Sequence, residues 1–492
     1  MGDAADSGRG SAIPPKAVPL CVDLDGTLIR TDMLHENVLG LAKASPVSLL
    51  SLFGWLGRGK AHLKHQVSER VAIDPAGLPY NQAVLDLIHA ARAEGRPVIL
   101  ATATPAAVAQ RIADHLGVFD EVLASDQITN LSARNKADAL VARYGAQGFD
   151  YAGNHAQDLP IFAVARQCHL VSSNGGLRRS AERHNPNVAH LDAPGGGLRS
   201  WVKALRLHQW LKNALIFVPL FAAKAEGNHA LLLAACLAFL AFGLFASSVY
   251  VLNDLLDLQA DRQHRTKRRR PFASGAIPVA QGVVAAPLLM AASVGLALAF
   301  LPRIFLEVLL VYGVITTAYS FVLKRQVVVD VILLAVLYTI RILAGAAATH
   351  IKPSFWLLAF SMFIFLCLAM AKRYSELRQA VDKDGTLAGR GYMPSDLPVV
   401  LAMGSGSGLV SVLILAFYTQ SEIVPAHYPA PEWLWMVPPV LLYWVVRLWM
   451  KANRGEVDDD PVIFAARDWQ SLTVAGTIAC LFVFASIGWR PW

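Results

Sequence analysis

Charge is scarce in this sequence: Asp, Glu, Lys and Arg make up 16% of its 492 residues, against 55% hydrophobic residues. That balance excludes a wholly soluble globular protein, and the length excludes a single hydrophobic core. Cysteine is also thin. The five cysteines (Cys21, Cys168, Cys236, Cys367 and Cys480) form no CxxC pair and no metal-ligand spacing, so neither a disulfide framework nor a zinc site is expected. The first sixteen residues lack the apolar centre of a secretory signal and read as a flexible tail, which predicts that the soluble part stays in the cytoplasm. Acidic residues are outnumbered 36 to 44, a formal net charge of +8. Because the lysines and arginines gather in short loops between apolar runs, the excess points to membrane topology and anionic substrates, with no nucleic acid as partner.

What is present divides in two. Residues 1–200 read as ordinary polar globular sequence, whereas beyond about 210 long apolar runs alternate with short charged loops. The expected domains are a tail over 1–16, an α/β domain over 17–183, a linker over 184–199 and an all-α polytopic membrane domain over 200–492. Apolar spans are expected near 213–224, 230–252, 280–300, 304–322, 328–348, 355–371, 397–418, 432–450 and 471–489, about nine transmembrane helices by the length rule. From a cytoplasmic amino terminus, the loops RQHRTKRRR, LKRQ, AKRYSELRQAVDKDGTLAGR and KANRGEVDDDP fall inside, while AKAEGN, LPR, THIKPS and TQSEIVPAHYPAPE fall outside with few positive charges. This asymmetry sets the orientation.

In the soluble part, VPLCVDLDGTLIR (18–30) reads as a buried strand that runs into two carboxylates, Asp23 and Asp25, on a Gly-containing loop. The chain then presents the strand-end threonine of VILAT, a lysine in ARNKADAL, and GNHAQD after the apolar FDYA. In this order the four motifs resemble the haloacid dehalogenase superfamily, with its Rossmann-like α/β fold. The resemblance implies Asp23 as phosphoryl nucleophile and Asp25 as general acid and then base. It further implies Thr102 and Lys136 as phosphate contacts, and Mg²⁺ at Asp23 and the Asp25 backbone oxygen. Where the family has an aspartate this chain has Asn154, with Asp158 four residues on; both are expected at the metal, and the amide in place of a carboxylate is expected to weaken its binding. A working phosphatase and a degenerate binding or regulatory module both remain open. The segment ASPVSLLSLFGWLG (44–57) falls where such domains insert a cap; a buried cap helix is expected, an amphipathic membrane contact being the alternative.

In the membrane part, NDLLDLQADRQHRTKRRR (253–270) follows directly on a long apolar run. Asp254, Asp257 and Asp261 are spaced by three and four residues, which on a helix places all three on one face. Three carboxylates beside hydrocarbon repel one another unless cations bind between them, and hard oxygens of this kind suit Mg²⁺ on a diphosphate. The NDxxDxxxD pattern resembles the UbiA family of intramembrane transferases, in which Asn253 belongs to the site. Familiar members move a prenyl group from a prenyl diphosphate and carry a second acidic cluster. At that place this chain has Lys372, Arg373 and Glu376. Lys324 and Asp330 lie in YSFVLKRQVVVD, and Arg341 sits in otherwise apolar sequence, where an arginine marks a polar cavity.

The wider wording RLHQWLKN (with Lys212 and Asn213), SSVYVLNDLLDLQADRQHRTKRRRPFASG, KRYSEL and RGEVDDDPVIFAARD resembles the decaprenyl-phosphate phosphoribosyltransferase branch of that family. The branch implies phosphoribosyl pyrophosphate as donor and a polyprenyl phosphate lipid as acceptor. Lys212, Arg262, Lys267, Arg268, Lys324, Lys372 and Arg373 would then balance the phosphates. A prenyl diphosphate donor with an aromatic or other acceptor is the alternative, and a non-catalytic scaffold or transporter is a further one. Asp458, Asp459 and Asp460 are given no role, and lipid length and oligomeric state are not legible in the sequence.

Overall fold

The computed structural model describes residues 17–126, 131–191, 196–381, 391–457 and 461–490. Asp458–Asp460 and the expected tail lie outside the described residues. Two compact units emerge: residues up to Leu205 together with Tyr250–Ala286, and Arg206–Val249 together with Pro287–Trp492.

The first unit is built on a six-stranded parallel sheet, β1 Leu20–Val22, β2 Val98–Pro105, β3 Glu121–Ser125, β4 Asp150–Gly153, β5 Cys168–Val171 and β6 Val188–Leu191, in the order β3-β2-β1-β4-β5-β6. Its central strands are short apolar runs buried on both faces, as a sheet covered by helices on each side demands. Val22 pairs with Leu100 on one side and with Ala152 on the other. The strand order reverses at β1, and the carboxyl ends of β1, β2 and β4 therefore open a crevice of the kind that holds ligands in open α/β sheets. Two helices follow β1. Helix α1, Met33–Ala44, is capped by Asp32, whose side chain accepts from the Leu34 and His35 backbone N–H groups. A 3-10 turn Pro46–Leu50 leads into α2, Ser51–Gly57. The segment does not form the buried cap helix expected of it: none of the α2 residues is buried, since only Leu52 and Trp55 turn toward the sheet core while Phe53 and Leu56 face outward.

The second unit and the helices that enter it form the membrane domain. Among the described residues eight helices are long and apolar enough to span a bilayer: His229–Leu256 (α3), Val279–Phe300, Arg303–Phe321, Val329–Thr349, Phe355–Gln379, Pro394–Thr419, Pro431–Arg454 and Trp469–Ile487. The ninth span, expected at 213–224, is not one of them. There the chain forms a 3-10 stretch Leu207–Phe217 and a short helix Val218–Ala222 with Pro219 in its first turn. The stretch lies close against the helix Val329–Thr349: a Cβ on Gly345 would fall 1.9 Å from the Ile216 carbonyl oxygen. Irregular backbone within a membrane domain persists where protein covers it, and Asn213 and Ile216 are both buried. Small residues allow similar approaches elsewhere, as where Gly404 meets Trp449 and Met370.

Candidate functional site

The crevice of the α/β unit gathers its polar residues from three strand ends. Asp23 follows β1, and its Oδ1 accepts from Lys136 Nζ at 2.6 Å. Lys136 also donates to the Tyr151 hydroxyl, which in turn donates to Asp158 Oδ1 at 3.0 Å. Burial pushes the Asp23 carboxyl up, against the pull of Lys136. Burial opposes the charge on Lys136, but Asp23 and Asp158 outweigh it and raise that pKa. Asp25 accepts from the Met33 backbone N–H at 2.8 Å and from the Thr104 hydroxyl at 2.7 Å. Burial, with repulsion from Asp32 and Asp23, pushes its carboxyl up to about 7, a value suited to a group that gives and takes a proton near neutrality.

Thr102, expected at the phosphate, is fully buried and its hydroxyl accepts from the Thr104 backbone N–H. Thr104 is the threonine that reaches Asp25. The alternation in VILATATP carried that signal, since residues two apart in a strand share a face. Asn154 lies beside the nucleophile loop, where its Oδ1 accepts from Thr27 at 3.2 Å. Gly26 takes φ +76° there, and a Cβ on it would fall 2.0 Å from Asn154 Nδ2, so this turn requires glycine. Asp158 faces its own loop, accepting from the Asn154 and His155 backbone N–H groups; it shapes the loop that presents Asn154. Among the described residues no group of three or more His, Cys, Asp or Glu forms a metal site. The oxygens of Asp23, Asp25 and Asn154 are nevertheless the hard donors that Mg²⁺ takes.

The aspartate cluster of the membrane domain belongs to the same unit. Helix α3 ends at Leu256 and a short helix α4, Leu258–Gln263, follows, so Asp257 stands at a break instead of on one continuous helical face. Asp254 and Asp261 are both buried and converge on one guanidinium: Arg270 donates to Asp254 Oδ1 at 3.1 Å and to Asp261 Oδ2 at 2.6 Å. Burial raises the Asp261 carboxyl and Arg270 lowers it in partial compensation. Asp257 turns to Lys43 of α1, at 2.8 Å. A cation thus lies between two carboxylates, whose oxygens are hard donors of the kind that Mg²⁺ takes. Arg270 and Lys43 were not singled out in the sequence. Arg270 is one of a basic run, and Lys43 is 214 positions away from its partner.

Arg262, expected at the substrate, is instead buried and committed to the protein. It donates to both Glu36 oxygens, at 2.6 and 3.0 Å, and to the Ala273 carbonyl. Glu36 is also held by the Thr31 hydroxyl at 2.6 Å. Lys267 and Arg268 are exposed, and Asn253 is half-buried near the end of α3.

In the second unit two further clusters form. Arg373 and Asp330, both fully buried, pair at 2.6 Å; Glu376 contacts Arg373, and the Tyr392 hydroxyl donates to Asp330 at 2.7 Å. The basic residue expected to face a phosphate is therefore neutralised within the fold. Arg341 donates to Asn213 at 3.0 Å and lies within 6 Å of the ring centres of Phe242, Tyr312 and Tyr338. Lys212 stands 5.4 Å from the Tyr338 ring. Lys324 and Lys372 are half-buried.

A carboxylate cluster at the end of a membrane helix, in a bundle of apolar spans, defines an intramembrane transferase. Residues 214–487, more than half of the chain, match the UbiA prenyltransferase family, and the chain belongs to it. Residues 20–163 match the haloacid dehalogenase-like hydrolase family, which the parallel sheet and its nucleophile loop accompany.

Three relatives place it more narrowly. An uncharacterized protein y4nM of Sinorhizobium fredii is 38% identical over 473 residues, 96% of this chain and 91% of its own. Nodulation protein NoeC of Azorhizobium caulinodans is 37% identical over 289 residues, 58% of this chain and 92% of NoeC. Decaprenyl-phosphate phosphoribosyltransferase of Mycobacterium tuberculosis is 39% identical over 183 residues, which cover 36% of this chain and 60% of that enzyme.

Proposed function

We propose that this chain transfers a 5-phosphoribosyl group from phosphoribosyl pyrophosphate to a polyprenyl phosphate, and that its α/β domain then removes the 5-phosphate. The observation that carries the reading is the charge at the second cluster. The acidic second site of prenyl-transferring relatives is replaced by Lys372, Arg373 and Glu376, and the acids there, Asp330 and Glu376, are taken up by Arg373. Lys372, Lys212 and Lys324 would then be the lysines that meet a phosphate-bearing acceptor. The similarity to the mycobacterial phosphoribosyltransferase supports the same donor.

Asp254, Asp257 and Asp261 would hold Mg²⁺, which when bound supplies charge compensation for the departing pyrophosphate. The bond between the anomeric carbon and the pyrophosphate oxygen breaks as a lipid phosphate oxygen bonds to that carbon. Lys212, Lys324 and Lys372 offset the negative charge that gathers, and a partly water-excluded setting strengthens each contact. Arg270 and Lys43 give up their carboxylates as the site fills. In the α/β domain Asp23 attacks the 5-phosphate, with Lys136 beside it, as the bond from phosphorus to the ribose oxygen breaks and Asp25 delivers its proton to that leaving oxygen; Asp25 then takes a proton from the water that hydrolyses the aspartyl phosphate, which frees Asp23 and inorganic phosphate. Asp23, the Asp25 backbone oxygen and Asn154 would hold the second Mg²⁺. Both sites would lie on the cytoplasmic side, which the positive charges of the loops around them favour.

Purified chain with Mg²⁺, labelled phosphoribosyl pyrophosphate and a polyprenyl phosphate tests this. Label in the lipid fraction is the expected result, with release of inorganic phosphate following it. Labelled lipid without phosphate release would remove the second step from the proposal. The family match itself favours the second reading, a prenyl diphosphate donor; no transfer from phosphoribosyl pyrophosphate, with turnover of a prenyl diphosphate, would establish it.

A further inference from the structure

The α/β domain carries an apolar face that nothing among the described residues covers. In the stretch formed by the turn Pro46–Leu50 and α2, Val47 is 74% exposed, Leu50 70%, Phe53 78% and Leu56 55%. These four recur every third residue and share one side, while Leu52 and Trp55 pack inward against the core of the sheet domain. A free-standing soluble phosphatase has no use for such a ridge, because apolar surface left in water costs roughly 25 cal/mol per Å².

Two further observations say what covers it. From Asn37 to Ser68 the sequence contains no Asp or Glu; Lys43 and Lys64 of that stretch are taken up by Asp257 and the Ala103 carbonyl, and the exposed Arg58 follows the ridge directly. Arg70 closes the same region, its guanidinium stacked 4.6 Å from the Trp55 ring. The helix just before the ridge, α1, is docked on the membrane domain's first loop: Glu36 binds Arg262, Lys43 binds Asp257, and Gly40 and Ala44 face Leu255 and Leu256 across a cavity of about 370 Å³. Leu255 and Leu256 are the last residues of a membrane-spanning helix. The ridge thereby follows directly on a helix that is tied to the end of a membrane-spanning helix.

We propose that Pro46–Gly57 is an interfacial membrane anchor: its apolar ridge enters the headgroup and upper acyl region, and the flanking cations bind anionic lipid phosphates. An apolar face with a basic border is the composition of helices that lie in the interface plane, and each cation adds attraction toward an anionic leaflet. The anchor would hold the phosphatase crevice at the membrane surface, where a lipid-linked substrate presents its head. That last consequence rests on the proposed function; the anchor itself does not.

The test uses the full chain in lipid nanodiscs at one copy per disc, with the exposed Cys236 and Cys480 replaced by alanine. A spin label is placed by Phe53→Cys or Leu50→Cys, with Asp114→Cys on an exposed helix of the same domain as reference. Collision with a water-soluble nickel chelate should fall several-fold at 53 and 50 relative to 114, and collision with oxygen should rise. The shielding should deepen when anionic lipid replaces zwitterionic lipid. Nickel reaching 53 and 50 as freely as 114 would overturn the anchor. Shielding that appears only when discs hold two copies would overturn it in favour of self-association. Neither readout depends on which substrates the enzyme uses.

Discussion

Asp25 is the residue on which pH acts most directly. Its folded carboxyl keeps its proton up to about 7, whereas in the unfolded chain it gives it up near roughly 4. A carboxyl raised in this way stabilises the fold below its unfolded value and loses that contribution as pH climbs through the folded value. In chelator, Asp25→Asn should therefore raise the unfolding temperature of the α/β domain by several degrees at pH 8 and by much less at pH 4.5, as differential scanning fluorimetry would record. An equal shift at both values would disprove the assignment. At the other cluster, Asp254→Asn should cost on the order of 100-fold or more in transferase turnover, as loss of a metal-site carboxylate does. Manganese binding followed by electron paramagnetic resonance should weaken in parallel. The aspartates themselves were legible because their types and spacings are unusual. Arg270 was not: it is one of a run of basic residues, and only the folded backbone decides which of them reaches the carboxylates.

Helix α1 shows what one element adds. Its first turn meets Asp25 through the Met33 N–H and binds Arg262 through Glu36, and its last turn binds Asp257 through Lys43. Glu36 and Arg262 are almost wholly buried, and removing one partner of such a pair strands the other's charge, at about 3–5 kcal/mol. Glu36→Ala should lower the stability of the first unit by that order in chemical denaturation of the solubilised chain. Glu36→Arg combined with Arg262→Glu should recover much of the loss; a double variant no better than the single one would show that the pairing is not what holds α1. No sequence pattern announces this contact, because its partners are 226 positions apart. The eight long helices were legible from apolar runs alone. The ninth was misread because composition cannot distinguish an α-helix from the 3-10 stretch Leu207–Phe217, where buried Asn213 serves Arg341 and Pro219 begins a new turn.

For the molecule as a whole, the two chemistries predict separable failures. Asp23→Asn should leave labelled phosphorylated lipid to accumulate while phosphate release stops, and Asp254→Asn should abolish both, read together by thin-layer chromatography and a phosphate assay. Phosphate release that persists in Asp23→Asn would place the nucleophile elsewhere. The two-part architecture was visible in the change of composition near residue 200, but the compact units do not follow it: Tyr250–Ala286, membrane-domain sequence, belongs with the phosphatase-like fold. Bringing that loop and Glu36 together makes Arg262 a debtor to the other half of the gene. A recombination that cut the coding sequence at the linker would release a transferase with an unanswered buried charge, so lineages that keep this arginine in this setting are expected to inherit both halves as one reading frame or to encode a separate partner that supplies the missing carboxylate.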